Sequence, residues 1–148
     1  MKTFRLMAIF VSCITSFSVF AGSIDVSKQY ARETIPGTTI SSAYMNISNN
    51  QDTDIKLMSI TSKVSTRIEL HEHLMSDEMM QMQQVESIIV GAHGTRILQP
   101  HGYHVMIFNL QQPLVADSEF LMTLHFDNGV DKQIKVPVFG INKKSKKH

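Results

Sequence analysis

The chain has 148 residues and a formal net charge of +1, with a single cysteine against seven histidines and ten methionines. That length suits one domain, and the near-neutral balance, with no basic face interleaved with aromatics, excludes a nucleic-acid binder. The lone cysteine, Cys13, falls in a segment that reads as removable, so the rest of the chain excludes a disulfide framework, thiol redox chemistry, a Cys nucleophile and a thiolate-dependent blue-copper centre.

Residues 1–21 read as a signal peptide. Lys2 and Arg5 form a positive start, Leu6 to Phe20 an apolar run, and Val19-Phe20-Ala21 a small-residue site for cleavage after Ala21. The run is short for a spanning helix, so no membrane span is expected after cleavage. Cys13 lies too early to be a lipid attachment site. Without Lys2 and Arg5 the chain carries 12 basic and 13 acidic residues. Four lysines cluster in residues 142–148, which read as a basic flexible tail and leave 22–141 as the folded domain.

Pro36-Gly37 marks a turn after the start of the domain. Ser41 to Ile47 reads as a strand, Asn49 to Asp52 as a polar turn, and Ile55 to Ser62 as a second strand. Thr66 to His73 has period two: Ile68 and Leu70 point one way, and Arg67, Glu69, His71 and His73 the other. Met75 to Met82 reads as a methionine-rich loop or short hairpin. Gln84 to Val90 suggests a short strand, Gly91 to Gly94 a turn, and Arg96 to Leu98 an edge or turn before Pro100. In Tyr103 to Leu110, His104, Met106, Phe108 and Leu110 share one face. Phe120 to Phe126 and Gln133 to Phe139 flank Asp127-Asn128-Gly129, a hairpin signal. Many short strands, and no long stretch of helical period, predict an antiparallel β-sandwich or Greek-key barrel.

Five of the seven histidines and five of the ten methionines fall between His71 and Met106. Imidazole and thioether together suit Cu(I); thioethers have little to offer Mg²⁺ or Ca²⁺. His104 and Met106 are two apart on a strand and project from one side. His71 lies on another strand and Met82 on the intervening segment. Alone, each has an ordinary reading: Met82 as a gap filler, Met106 as core, His71 as a surface histidine. Together they make a four-donor set of two nitrogens and two sulfurs.

Ten residues separate His71 from Met82, 21 separate Met82 from His104, and one separates His104 from Met106. This His-x10-Met-x21-His-x-Met pattern resembles the signature of the periplasmic copper chaperones of the PCu(A)C family. Glu69-Leu70-His71, Met80-x-Met82 and the string from Pro100 to Met106 match as well, and the likeness runs from Ala43-Tyr44-Met45 to Val136-Pro137-Val138. The resemblance implies a cupredoxin-like β-barrel, and with no general base convincingly placed and no substrate pocket to be inferred, no enzyme is expected. It implies a periplasmic Cu(I) carrier with His71, Met82, His104 and Met106 as ligands, supplying copper for cytochrome c oxidase assembly together with Sco-like proteins. Copper sequestration for tolerance and a metal-free interaction module are the competing roles. The chain departs from the family at His101, where glycine is usual, and at His93. These extra histidines are open between a second metal, with Cu(II) as the ion, and ordinary exposed residues. The roles of His73 and Met75 stay open too. His125, remote in sequence, reads as structural.

Overall fold

The computed structural model describes residues 24–76 and 79–141. The signal peptide and basic tail expected at 1–21 and 142–148 lie outside the described residues, as do residues 22–23 and 77–78.

Ten strands follow one another: β1 (Ile24–Arg32), β2 (Ser41–Asn49), β3 (Ile55–Thr61), β4 (Arg67–Ser76), β5 (Met79–Val85), β6 (Ile88–Val90), β7 (Thr95–Leu98), β8 (His104–Phe108), β9 (Glu119–Phe126) and β10 (Asp131–Phe139). Among the described residues there is no helix, and so none able to cross a membrane. The strands hydrogen-bond in the order β5-β4-β8-β2-β1-β10-β9-β3-β6, with β7 beside β2. All pairings are antiparallel except β1 with β10, which is parallel through Ala31–Val138 and Arg32–Phe139. The all-β expectation therefore holds, with one parallel seam in an otherwise antiparallel sheet.

The sheet folds over one core. Ala43, Met45, Ile47, Leu70, Leu98, Val105 and Ile107 line it from the first half, and Ile55, Leu57, Ile88, Met122, Leu124, Val136 and Val138 from the second. Burying each of the larger of these side chains stabilises the fold by about 1.5–3 kcal/mol before the entropy of ordering is counted. Buried Asn49 is satisfied throughout. Its amide donates to the carbonyls of Thr53, Val90 and Gly91, and its Oδ1 accepts the Gln51 N–H at 3.0 Å.

Three readings need correction. Residues 24–32, read only as the start of the domain, form β1: a bulge between Ser27 and Tyr30, with Lys28 at a φ of 52°, breaks the alternation that would announce a strand. Of the loop and hairpin readings of Met75 to Met82, the hairpin holds and the loop does not: Met82 sits within β5, whose strand character rests on seven backbone pairings with β4 rather than on apolar alternation. The expected Gln84–Val90 strand is two, because β5 stays with β4 while β6 leaves to pair with β3.

β2 carries two strands on one edge. β8 pairs with its first half and β7 with its second. The chain between them, Gln99 to Tyr103, is thrown out as a closed turn: Gly102 N–H donates to Gln99 O, and Gln99 N–H to Tyr103 O. This turn overhangs β4, whose His73 N–H reaches Gly102 O at 3.3 Å.

Candidate metal centre

The β4–β8 register decides what meets what. Glu69 pairs with Met106, Leu70 with Val105, and His71 with His104. The register is pinned at one end by Ser65, whose hydroxyl donates to Phe108 O and whose Oγ accepts the Arg67 N–H at 2.9 Å. Leu70 and Val105 turn into the core, so their neighbours in sequence turn to the opposite face. On that face His71 and His104 stand directly opposite each other, with ring centres 5.8 Å apart. Both are buried nonetheless. Phe108 stands 6.0 Å from the His71 ring, Tyr44 lies 6.5 Å from the His104 ring, and His73 stacks on His104 at 4.8 Å.

The partners of each ring define its free nitrogen. His104 Nδ1 lies 2.9 Å from Gly102 O; a carbonyl can only accept, so Nδ1 carries the proton and Nε2 keeps the lone pair. His71 Nε2 lies 2.8 Å from Glu69 Oε2, so there Nε2 carries the proton. His71 Nδ1 is then the lone-pair nitrogen, and it is buried without a partner. Leaving such an atom unpaired costs roughly 1–3 kcal/mol. A soft or borderline cation is a group that could satisfy it.

Burial favours the neutral form of the His104 ring. Burial pushes the His104 imidazole below its ordinary value, against the opposing pull of the Gly102 hydrogen bond, and the nearby His73 and His71 add to the lowering. Glu69 is held below the usual carboxylate range by its hydrogen bonds from His71 and Arg67. Arg67 donates through Nε to Glu69 at 2.7 Å and lies over the Phe108 ring at 4.6 Å. Arg67, Glu69 and His71 thus form a chain that fixes the ring orientation of His71.

The two methionines of the sequence-derived set share this face at different distances from the pair. Met106 is half-buried, one residue beyond Val105 from His104, opposite Glu69 on one side and Ser42 on the other. Met82 stands on β5 opposite His73, so it is diagonal to His71. It is half exposed. The set therefore consists of a close imidazole pair with one thioether on each flank, Met82 being the outlying member. Among the described residues no three His, Cys, Asp or Glu side chains already surround one point. A metal held here must also draw on thioethers or solvent.

His73 and His101, whose roles the sequence leaves open, also come to this cluster. His73 contacts His104 through its ring, and His101 lies 5.8 Å from His73. The period-two pattern does put His73 on the face of His71; nothing in the pattern could have brought His101 there, because a loop carries it. Glu72 is on the opposite face, where it hydrogen-bonds Tyr103. His125 is fully engaged, by Asp131 at 2.7 Å and Thr61 at 2.8 Å. His93 is exposed and meets Asp52 at 2.8 Å.

Residues 24–138 match the family described as "Putative lipoprotein LpqE-like". Lxx21020 of Leifsonia xyli subsp. xyli, which carries the same lipoprotein description, is 28% identical over 119 residues, spanning 80% of this chain and 70% of its own length. The copper-bound PCuAC domain from PmoF2 superimposes with a TM-score of 0.69 at 19% identity, covering 80% of this chain and 94% of that domain. The Cu(I) form of DR1885 from Deinococcus radiodurans gives a TM-score of 0.61 at 27% identity, covering 83% and 84%. The fold is thus the cupredoxin-like β fold of PCuAC domains.

Proposed function

The chain belongs to the LpqE-like family, a PCuAC-like family, and from that premise we propose that it is a copper-binding chaperone that carries Cu(I) on His71, Met82, His104 and Met106. The observation that carries this reading is the facing pair His71–His104. Each ring's proton is held by a fixed acceptor, and a buried, unpartnered Nδ1 is left on His71. The copper named for the PmoF2 and DR1885 structures supports the choice of metal.

The donors explain the ion. Cu(I) accepts thioether and neutral imidazole, and neither needs to lose a proton at neutral pH. Without thiolates the site cannot be lost to disulfide formation, which fits an exported protein in an oxidising compartment, the periplasm. Delivery requires ligand exchange. Met82, half exposed on the β4–β5 arm, is the donor that an acceptor can displace first, while His71 and His104 hold the ion from below. Copper supply for cytochrome c oxidase assembly, with a Sco-like protein as partner, is the role we assign. A deletion strain should lose oxidase activity under copper limitation; copper sensitivity with intact oxidase would indicate sequestration instead.

Competition with a Cu(I) chelator tests the binding. The chain should prefer Cu(I) to Zn²⁺, and Met106→Ala should weaken Cu(I) about tenfold with an unchanged circular dichroism spectrum. Equal affinity for the two ions would contradict the reading.

A further inference from the structure

Four histidines meet at one end of the β4–β8 ladder, and they fall into two pairs. The inner pair is His71–His104, at 5.8 Å and tilted by 40°. The outer pair is His73–His101, also at 5.8 Å and tilted by 36°. The pairs touch where His73 lies on His104 at 4.8 Å, the rings only 25° from parallel. Lone pairs lie in the ring planes, so stacked rings present them side by side, whereas tilted rings at the wider spacing can converge. A metal–nitrogen bond of about 2 Å puts an ion about 3 Å from each ring centre, so two rings at 5.8 Å can flank one ion.

Each pair also holds one unsatisfied atom. His71 Nδ1 and His73 Nδ1 are both buried without a hydrogen-bond partner. The first belongs to the proposed Cu(I) site; the second is unexplained by it. The backbone at His101 points the same way. Its φ is 67°, in the left-handed region that glycine enters freely and a side chain enters at a cost. A histidine is held there, on a turn fastened to β4 through His73 N–H and Gly102 O. Strain of this kind at a ligating residue type suggests function.

We propose that His73 and His101 form a second, outer site that takes Cu(II). An exposed imidazole, His101, beside a half-buried one, His73, with water filling the remaining positions, suits a borderline divalent ion, and the general order of affinities puts Cu(II) first among these. Met82, opposite His73 and diagonal to His71, is the thioether that borders both pairs. The chain would then hold a cuprous ion within and a cupric ion at the rim.

The test uses the purified chain carrying one equivalent of Ag(I), a redox-stable stand-in for Cu(I). Cu(II) is then titrated and followed by electron paramagnetic resonance, for the native chain and for His101→Gly. Glycine suits the left-handed backbone, so this variant should melt no lower than the native chain. The native chain should take Cu(II) with nitrogen hyperfine structure and keep its Ag(I). His101→Gly should bind Cu(II) at least about tenfold more weakly, with Ag(I) binding unchanged. Unaltered Cu(II) affinity in His101→Gly would overturn the outer site, and so would release of Ag(I) by Cu(II). Failure of the native chain to bind Ag(I) at all would count against the Cu(I) reading, and the His101 comparison would still decide the outer site.

Discussion

His125 and the His71–His104 pair sit on strands of the same sheet, yet they are treated in opposite ways. His125, between β3 and β10, has both ring nitrogens engaged, by Thr61 and Asp131. Its ring can do nothing more without giving up a bond. In the β4–β8 pair each ring has one nitrogen tied down and the other left over. The first arrangement maximises stability. The second sacrifices some of it to keep lone pairs available in a fixed direction. A histidine that holds a fold is satisfied on both sides, and one kept for a ligand is satisfied on one.

The largest effect should come from exchanging the two kinds of histidine in one experiment. His104→Ala should lower Cu(I) affinity at least about 100-fold, or about 2.7 kcal/mol. His125→Ala should leave it unchanged and cost about 1 kcal/mol of stability for each lost hydrogen bond. Chelator competition and urea unfolding read the two quantities separately. Copper loss in His125→Ala would break the distinction.

A smaller effect should follow from untying the ring without removing it. Glu69→Ala leaves His71 in place but frees its Nε2–H, and Cu(I) should bind about tenfold more weakly. Unchanged affinity would mean that the Arg67–Glu69–His71 chain does not orient the ligand.

The smallest expected effect is on pH dependence of the metal-free chain. Folded His104 resists protonation because it is buried, whereas in the unfolded chain it takes a proton near about pH 6.5. Below that value the unfolded state binds more protons, so stability falls as pH drops from about 7.5 to about 5.5. Glu69 does not contribute over this range: its folded value is depressed, and its stabilisation is lost only at more acidic pH. The melting temperature should fall between the two pH values, and fall less in His104→Ala.

The same contrast explains what could be read from residues alone. Thr66 to His73 has a period-two pattern and Tyr103 to Leu110 reads as a strand, so the sharing of a face by His71 and His73, and by His104 and Met106, follows from the order of residues. Pairing does not. That His71 faces His104 depends on a register fixed by distant groups such as Ser65 and Phe108, and that Met82 faces His73 depends on the pairing of β4 with β5. β5 is hidden because Met79 to Gln84 is exposed and has no apolar rhythm. β1 is hidden by its bulge. His101 reaches the cluster through a left-handed turn, a feature of the backbone that no side-chain pattern announces.

X-ray absorption at the copper edge of the Cu(I)-loaded chain tests the central claim most directly, because it counts the neighbours of the ion. The account predicts both nitrogen and sulfur shells, close to two of each, with the sulfur signal reduced in Met106→Ala. A first shell of nitrogen and oxygen alone, unchanged by that substitution, would contradict it.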